Sequence, residues 1–324
     1  MKVEKTPYGK YRVRKMIQGQ TIIITFDHKP SQTEVVRAMN ERLKSIPKKG
    51  CFLNCAESYI KSKSNVISPS TIKGYTSILR ALPEDFTMME ITQITQIDLQ
   101  SVVNDYAADH SPKTTRNLHG FISAVLGQFR PDMVIRTTLP QKRPYEGYTP
   151  SEDDIKRILD ETKDDPYYHI PFQLGIMGLR RSEVCALTLD DICGNTLTIN
   201  KALVKDVNNN WVIKSTKTTA GTREIYIPDS LVQEIEQYGK IFEGNPTTLL
   251  YGLNKFQDKL GIPHFRFHDL RHFFASYAHS KGISDADIMA SGGWKSDYTM
   301  KSIYRHEMKA KEAQKKIYNS LLNS

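Results

Sequence analysis

The run HDLRHFFASYAHSKG, residues 268–282, joins charged groups to an apolar stretch and stops at a glycine. A helix is expected to open at its start and to end at Gly282. His268 and Arg271 stand three residues apart, a spacing that puts them on one helical face. A guanidinium held there can bind two nonbridging oxygens of a phosphodiester while an imidazole handles a proton. Taken alone, the pair is as well explained by ordinary packing, so its meaning rests on the rest of the chain.

Upstream, PYYHIPFQLGIM reads as a helix that breaks at Gly178, and Leu179-Arg180-Arg181-Ser182-Glu183 restarts the chain with an arginine at the edge. An arginine in that position is ordinarily a solvated surface group. LTINKALV, WVIKSTKTT and TREIYIP follow as period-2 runs rich in β-branched residues, with turn signals at Asn208-Asn209-Asn210 and Ala220-Gly221. They predict a small antiparallel sheet. Lys214 and Lys217 lie on the limb entering the second turn, where lysine also serves as plain edge protection. Downstream, DADIMA predicts a second helix, and Ser291-Gly292-Gly293-Trp294 leads within ten residues to Tyr304.

The N-terminal part has a different character. Residues 1–50 hold 12 lysines and arginines against 4 acids, a net +8 of the chain's +9. YGKYRVRKMIQGQTIIITF predicts short strands, and SQTEVVRAMNERLKSI predicts a helix capped by Ser31, with an apolar stripe at Val35, Val36, Met39 and Leu43. Such a balance suits a polyanionic partner, and Lys10, Arg12, Arg14 and Lys15 on the sheet are the candidate contacts. PKKG at 47–50 reads as a linker. Residues 51–138 carry three or four helical patterns, with N-caps expected at Ser70, Thr95 and Ser111. Pro112 after Ser111 places Lys113, Thr114, Thr115 and Arg116 in a helix's first turn, where a phosphate could sit as readily as solvent. LPQKRPYEGYTP at 139–150 has the composition of an extended connector. Thr149 or Ser151 then caps SEDDIKRILDETK.

In order and spacing, Gly-Leu-Arg-x-Ser-Glu at 178, the Lys217 hairpin, His-x-x-Arg at 268, Gly-Gly-Trp at 292 and Tyr304 resemble the tyrosine recombinase (phage integrase) family. The resemblance is close over 149–308. It implies that Arg180 and Arg271 are the catalytic arginines, Lys217 the hairpin lysine, His268 the first histidine and Tyr304 the nucleophile. Trp294 stands where many members have histidine, and its indole N–H can still donate. The expected fold is multidomain, mainly α with small β-sheets. Residues 1–48 would be an arm-type DNA-binding module, 51–138 a helical core-binding domain, 139–148 a linker and 149–324 a mixed α/β catalytic domain.

The resemblance further implies strand cleavage and transfer through a 3′-phosphotyrosine, with no ATP, no cofactor and no metal. Double-stranded attachment sites of core and arm type, a homotetramer on DNA, a host DNA-bending protein and an excision factor would be the partners. A type IB-like topoisomerase shares the chemistry, and a DNA-binding protein that has lost catalysis is the reading from another class. The tail RHEMKAKEAQKKIYNSLLNS spaces Ala310, Ala313, Ile317 and Leu321 as an amphipathic helix. Such a stripe must pack on its own domain or on a neighbouring protomer, and the resemblance favours the neighbour.

Composition sets outer bounds. With 39% hydrophobic and 25% charged residues, the chain has material for real cores. No window approaches the roughly 18 apolar residues of a membrane span, and MKVEKTPYGKYRVRK lacks a signal-type apolar run. A cytoplasmic, nucleoid-associated protein of a bacterial host, making no membrane contact, is the expectation. The four cysteines lack zinc-site spacing and are expected to be buried free thiols.

Overall fold

A computed structural model of the chain describes residues 3–17, 20–44, 50–142, 147–215, 222–296 and 300. The chain divides into two compact units, Met1–Ile67 with Gly74–Arg143 and Ser68–Lys73 with Pro144–Ser324. As expected, the structure is mainly helical with small antiparallel sheets.

The first unit opens with β1 (Val3–Lys5), β2 (Tyr11–Ile17) and β3 (Gln20–Phe26), paired antiparallel in that order, followed by α1 (Gln32–Lys44). Alternation along the strands turns Val13 and Ile22 toward Val35 and Met39 of the helix, and these four form a small core. Ser31 caps α1 reciprocally with Glu34, each side chain taking the other's backbone N–H. Val36, expected in the apolar stripe, is instead exposed, because the narrow sheet covers only part of the helix.

The helices α2 (Phe52–Lys63), α3 (Pro69–Ala81), α4 (Glu84–Met88), α5 (Gln96–Asp109) and α6 (Pro112–Phe129) follow. Phe52, Leu99, Leu118, Phe121, Ile122 and Leu126 are at the centre of their core. Thr95 and Ser111 cap α5 and α6 as the sequence predicts. For α3 the cap is Ser68 rather than Ser70: the Ser68 carbonyl accepts from Thr71 and Ile72, and the two serine hydroxyls lie 2.9 Å apart. Proline at 69 suits the first helical position and moves the start two residues back.

After α6 the chain runs extended, and two glutamines one turn apart on α5 hold it. Gln96 donates to the Val134 carbonyl and accepts from the Arg136 N–H; Gln100 donates to the Thr138 carbonyl at 3.2 Å and accepts from the Thr138 N–H at 2.9 Å. Four helical residues rise about 6 Å and two extended residues about 6.6 Å, so the two ladders match. Arg116 adds a bond from Nε to the Pro140 carbonyl.

The second unit contains α7 (Glu152–Thr162), α8 (Pro166–Ile176), α9 (Arg181–Val184), β4 (Ile192–Cys193), β5 (Thr196–Ile199), β6 (Lys201–Lys205), β7 (Trp211–Ser215), β8 (Arg223–Tyr226), α10 (Asp229–Tyr238), α11 (Pro246–Leu260), α12 (Phe267–Ser280) and α13 (Asp285–Gly292). Ser151, not Thr149, caps α7, in a box with Asp154. The predicted single sheet is two: β4, β5 and β8 form one, while β6 and β7 form a separate hairpin turning at Asn209, whose φ is 66°. The apolar helix α8 runs through the core among α7, α10, α11 and α12, with Phe172 between Tyr168, Phe256 and Phe267. Among the cysteines, Cys51 and Cys55 are buried, but Cys185 is half-buried and Cys193 exposed, since Cys193 ends the two-residue edge strand β4. No helix among the described residues is long and apolar enough to cross a membrane.

Phe172 is fully buried, so Phe172→Ala removes a ring whose space its neighbours cannot refill. The expected cost is about 3–5 kcal/mol, read as a lower midpoint in urea unfolding of the full chain.

Candidate active site

Two breaks in the helical framework place the charged groups. The first is Gly178, which follows α8 with φ +91° while its N–H returns to the Gly175 carbonyl. A side chain there would be strained and would meet the Phe274 ring. The turn delivers Arg180 to the mouth of the four-residue helix α9. The second break is the end of α13, where Gly293 is left-handed at φ +69° and its N–H and that of Trp294 return to Met289.

Arg271 stands between these breaks on the first turns of α12, and only 1% of it is exposed. Its Nη1 donates to the carbonyls of Gly178, at 2.6 Å, and Gly292. Trp294 lies flat against it, with the guanidinium carbon 3.7 Å from the ring centroid. Gly292 has no room for a Cβ, because the indole occupies that space. Burial, together with the charge of Arg180, lowers the Arg271 pKa to about 9, which leaves it cationic at neutral pH. Among the described residues, its Nε and Nη2 donate to no protein group.

Arg180 is more open. Its Nη1 pairs with Glu183 Oε1 at 2.6 Å and its Nη2 donates to the Gly293 carbonyl at 3.1 Å. Glu183 is buried, and its second charged partner is Arg223 of β8, whose Nη2 reaches Oε2 at 2.9 Å. Burial alone would raise the Glu183 pKa, but the hydrogen bonds and charge of Arg223, with those of Arg180, hold it below the usual range.

His268 occupies the same helical start as Arg271 and packs edge-on to His272, ring centroids 4.8 Å apart. The residue as a whole is exposed to solvent. Crowding by the surrounding protein, then His272, Arg271 and Arg180, push its pKa down to about 4. Asp269 between them is turned inward, taking the Arg266 N–H at 2.7 Å and the Arg266 guanidinium at 2.7 Å. His268, Arg180, Arg181, Lys205, Trp211 and Arg266 line one concave face of the second unit, five of them able to carry positive charge.

The structure therefore brings together four of the residues singled out from sequence: Arg180, His268, Arg271 and Trp294. Lys217 and Tyr304, the turn at Ala220-Gly221 and the C-terminal amphipathic segment lie outside the described residues. Lys214 is half-buried on β7, in register with Ala202. In the first unit Arg12 and Arg14 are exposed on the sheet face away from α1, in register with Thr25 and Ile23. Lys15 is exposed but lies in register with Ile22, on the side of α1. Lys10 is paired with Asp27 at 2.8 Å. Lys113 is open in the first turn of α6, whereas Arg116 is half-buried with its Nε on Pro140.

Sequence reasoning passed over Arg223. The signal was present in TREIYIP: alternation puts residue 223 on the inward face with Ile225, and a cation there must have a buried partner.

Comparison with known proteins identifies the family and the fold. The profile of the Phage integrase family matches residues 151–311, and that of the phage integrase N-terminal SAM-like domain matches 52–107. The chain belongs to the phage integrase family. A curated relative, the "Putative prophage phiRv2 integrase" of Mycobacterium tuberculosis (strain CDC 1551 / Oshkosh), is 26% identical over 160 residues; the match covers 43% of this chain and 42% of that relative. The Tn1549 transposon integrase in complex with transposon right end DNA shares the fold at TM-score 0.67 and 14% identity, over 85% of this chain and all of that one. A lambda integrase tetramer bound to a Holliday junction shares it at TM-score 0.56 and 17% identity, over 93% and 94% of the two chains.

The depressed pKa of His268 has a consequence for stability. In the unfolded chain a histidine titrates near 6.5, so as pH falls from about 6.5 to about 4 the unfolded state binds the proton first and stability drops. His268→Asn is expected to flatten this part of the curve without abolishing it, since His272 is shifted the same way. Melting temperatures of both proteins between pH 4 and 7.5 check it; parallel curves would contradict the assignment.

Proposed function

We propose that this protein is a site-specific DNA recombinase that cuts and rejoins DNA through a 3′-phosphotyrosine, integrating and excising a mobile element. The observation that carries the reading is the pair of guanidinia, Arg180 and Arg271, anchored to backbone carbonyls beside His268 inside the segment matched by the family. Attack on a phosphodiester gathers negative charge on the nonbridging oxygens, and fixed cations stabilise it without reorganising.

In the proposed reaction the Tyr304 oxygen attacks phosphorus, forming the phosphotyrosine bond as the bond to the 5′ oxygen breaks. Lys217 protonates that leaving oxygen. A phenol titrates near 10, so the adjacent cations favour its deprotonation during attack. His268, neutral before DNA arrives, is free to accept a hydrogen bond or a proton. A 5′-hydroxyl of another duplex then attacks the phosphotyrosine, restoring a DNA phosphodiester and freeing the tyrosine. Trp294 covers Arg271 and, through its indole N–H, is the donor the resemblance assigns to the phosphate.

The same proposal assigns the domains: 1–48 to arm-type sites, 51–138 to core sites, 139–148 as linker and 149–324 to catalysis, acting in the host cytoplasm as a homotetramer on paired attachment sites. A host bending protein and an excision factor belong to it as accessory partners. Arg12 and Arg14 on the open sheet face, and Lys113 at the α6 start, are its best placed DNA contacts outside the catalytic domain.

On a nicked suicide substrate, Tyr304→Phe is expected to abolish covalent attachment while gel-shift affinity stays near that of the wild type. Arg180→Ala should slow cleavage by about a hundredfold or more. Covalent yield at the wild-type level in the Tyr304 variant would remove the reading. For the N-terminal module, deleting residues 1–48 should flatten the salt dependence of binding to arm-type DNA by about 0.9 log units per lost phosphate contact. An unchanged slope would separate that module from DNA.

A further inference from the structure

The last turn of a helix leaves its carbonyls without intrahelical donors, and every one of them at the end of α13 is accounted for. Met289 accepts from the N–H groups of Gly293 and Trp294, and Ala290 from that of Gly293. The next three carbonyls are each taken by a different arginine: Ser291 by Arg223 Nε at 2.8 Å, Gly292 by Arg271 Nη1, and Gly293 by Arg180 Nη2 at 3.1 Å. Cations are favoured at a helix C-terminus, where the dipole is negative. The segment so capped leads directly to Trp294 and, ten residues on, to Tyr304.

The three arginines are not equivalent. Arg180 and Arg271 are assigned to the phosphate, and in Arg271 the carbonyls occupy Nη1 alone, leaving Nε and Nη2 for it. Arg223 is buried, with 6% of its side chain exposed, and its other two nitrogens are fixed on Glu183, at 2.9 Å from Nη2 and 3.3 Å from Nη1. Its three nitrogens therefore tie three things together: the strand β8, the carboxylate that orients Arg180, and the backbone ahead of Trp294. A planar guanidinium can do this in one rigid fork, and an ammonium cannot.

We propose that Arg223 is a positioning residue for strand cleavage: by sharing Glu183 with Arg180 and holding the Ser291 carbonyl, it keeps Arg180 and the chain entering the nucleophile segment in register. The proposal rests on the recombinase reading and assigns Arg223 no contact with DNA. Without Arg223, Glu183 has only Arg180 to neutralise it and draws that guanidinium away from phosphate. A misplacement of about 1 Å at such a site costs up to about a hundredfold in rate.

The test uses the full chain on a nicked suicide substrate, with gel-shift affinity, melting temperature and single-turnover cleavage measured together. Arg223→Lys, which keeps the charge, is the folded control, and Arg223→Gln is the stronger variant. Both are expected to bind DNA within about threefold of wild type and to cleave more slowly, about tenfold for lysine and up to about a hundredfold for glutamine. Adding Glu183→Gln to Arg223→Gln should recover part of the lost rate, because the neutral amide no longer captures Arg180; a packing role alone would make the double variant no better than the single. Wild-type cleavage by folded Arg223→Lys and Arg223→Gln, or a double variant with no recovery, would overturn the proposal. Absence of covalent product from the wild-type protein would instead overturn the recombinase reading.

Discussion

Arg271 is a cation almost without solvent, and much of the second unit is arranged as such a group requires. Taking a guanidinium out of water is unfavourable unless its N–H groups find acceptors. Here the acceptors are the carbonyls of Gly178 and Gly292, with the face of Trp294 laid over the remaining surface. Both carbonyls come from helix ends, one just past α8 and one closing α13, where acceptors are otherwise unsatisfied. Two helix termini thus converge on one side chain. That convergence sets where the chain turns at Gly178, and so where Arg180 begins α9.

Glycine at 178 and 292 follows from the same constraint. At 178 the backbone is left-handed, and a side chain would run into Phe274; at 292 the indole occupies the Cβ position. A side chain at either place would move the carbonyl that holds the guanidinium. The motif residues around the arginines are therefore readable as one object, a cage for two cations built from two glycine turns and a tryptophan.

How much of this the sequence carried depends on the range of the interaction. Local signals read well: the caps at Thr95, Ser111 and Ser31, the hairpin turn at Asn209, and His268 and Arg271 at the start of α12 each follow from residues a few positions apart. The start of α3 was misread because both Ser68 and Ser70 are capping types, and only Pro69 between them decides. The strands were recognised but not their partition, since β5 pairs with β8 across the whole β6–β7 hairpin and periodicity carries no information about which strands meet. Glu183 and Arg223 show the limit most plainly. They are 40 residues apart, and although alternation marks Arg223 as inward, only the fold reveals that its partner is the carboxylate beside Arg180. Arg116 likewise looked like a phosphate ligand at a helix start, and a connector 24 residues away takes its Nε.

The balance of charge in the cage bears on why it is built from arginine. Arg180 and Arg223 pair with one buried carboxylate, Glu183, whose charge also reaches Arg271, while the nearby Asp269 is committed to Arg266. The negative end of α13 offsets only about half a charge. Removal from water first, and neighbouring positive charge after it, depress the pKa of Arg271 to about 9 and that of His268 to about 4; Arg180 contributes to both. Lysines in such a field would lose their protons more easily, whereas arginine starts high enough to stay charged. A neutralised cage would be more stable and would have less to offer an anion. In the proposed reaction a phosphodiester brings one charge to the site and the transition state concentrates it on the nonbridging oxygens, so an excess that destabilises the DNA-free protein stabilises the strand-cleavage transition state.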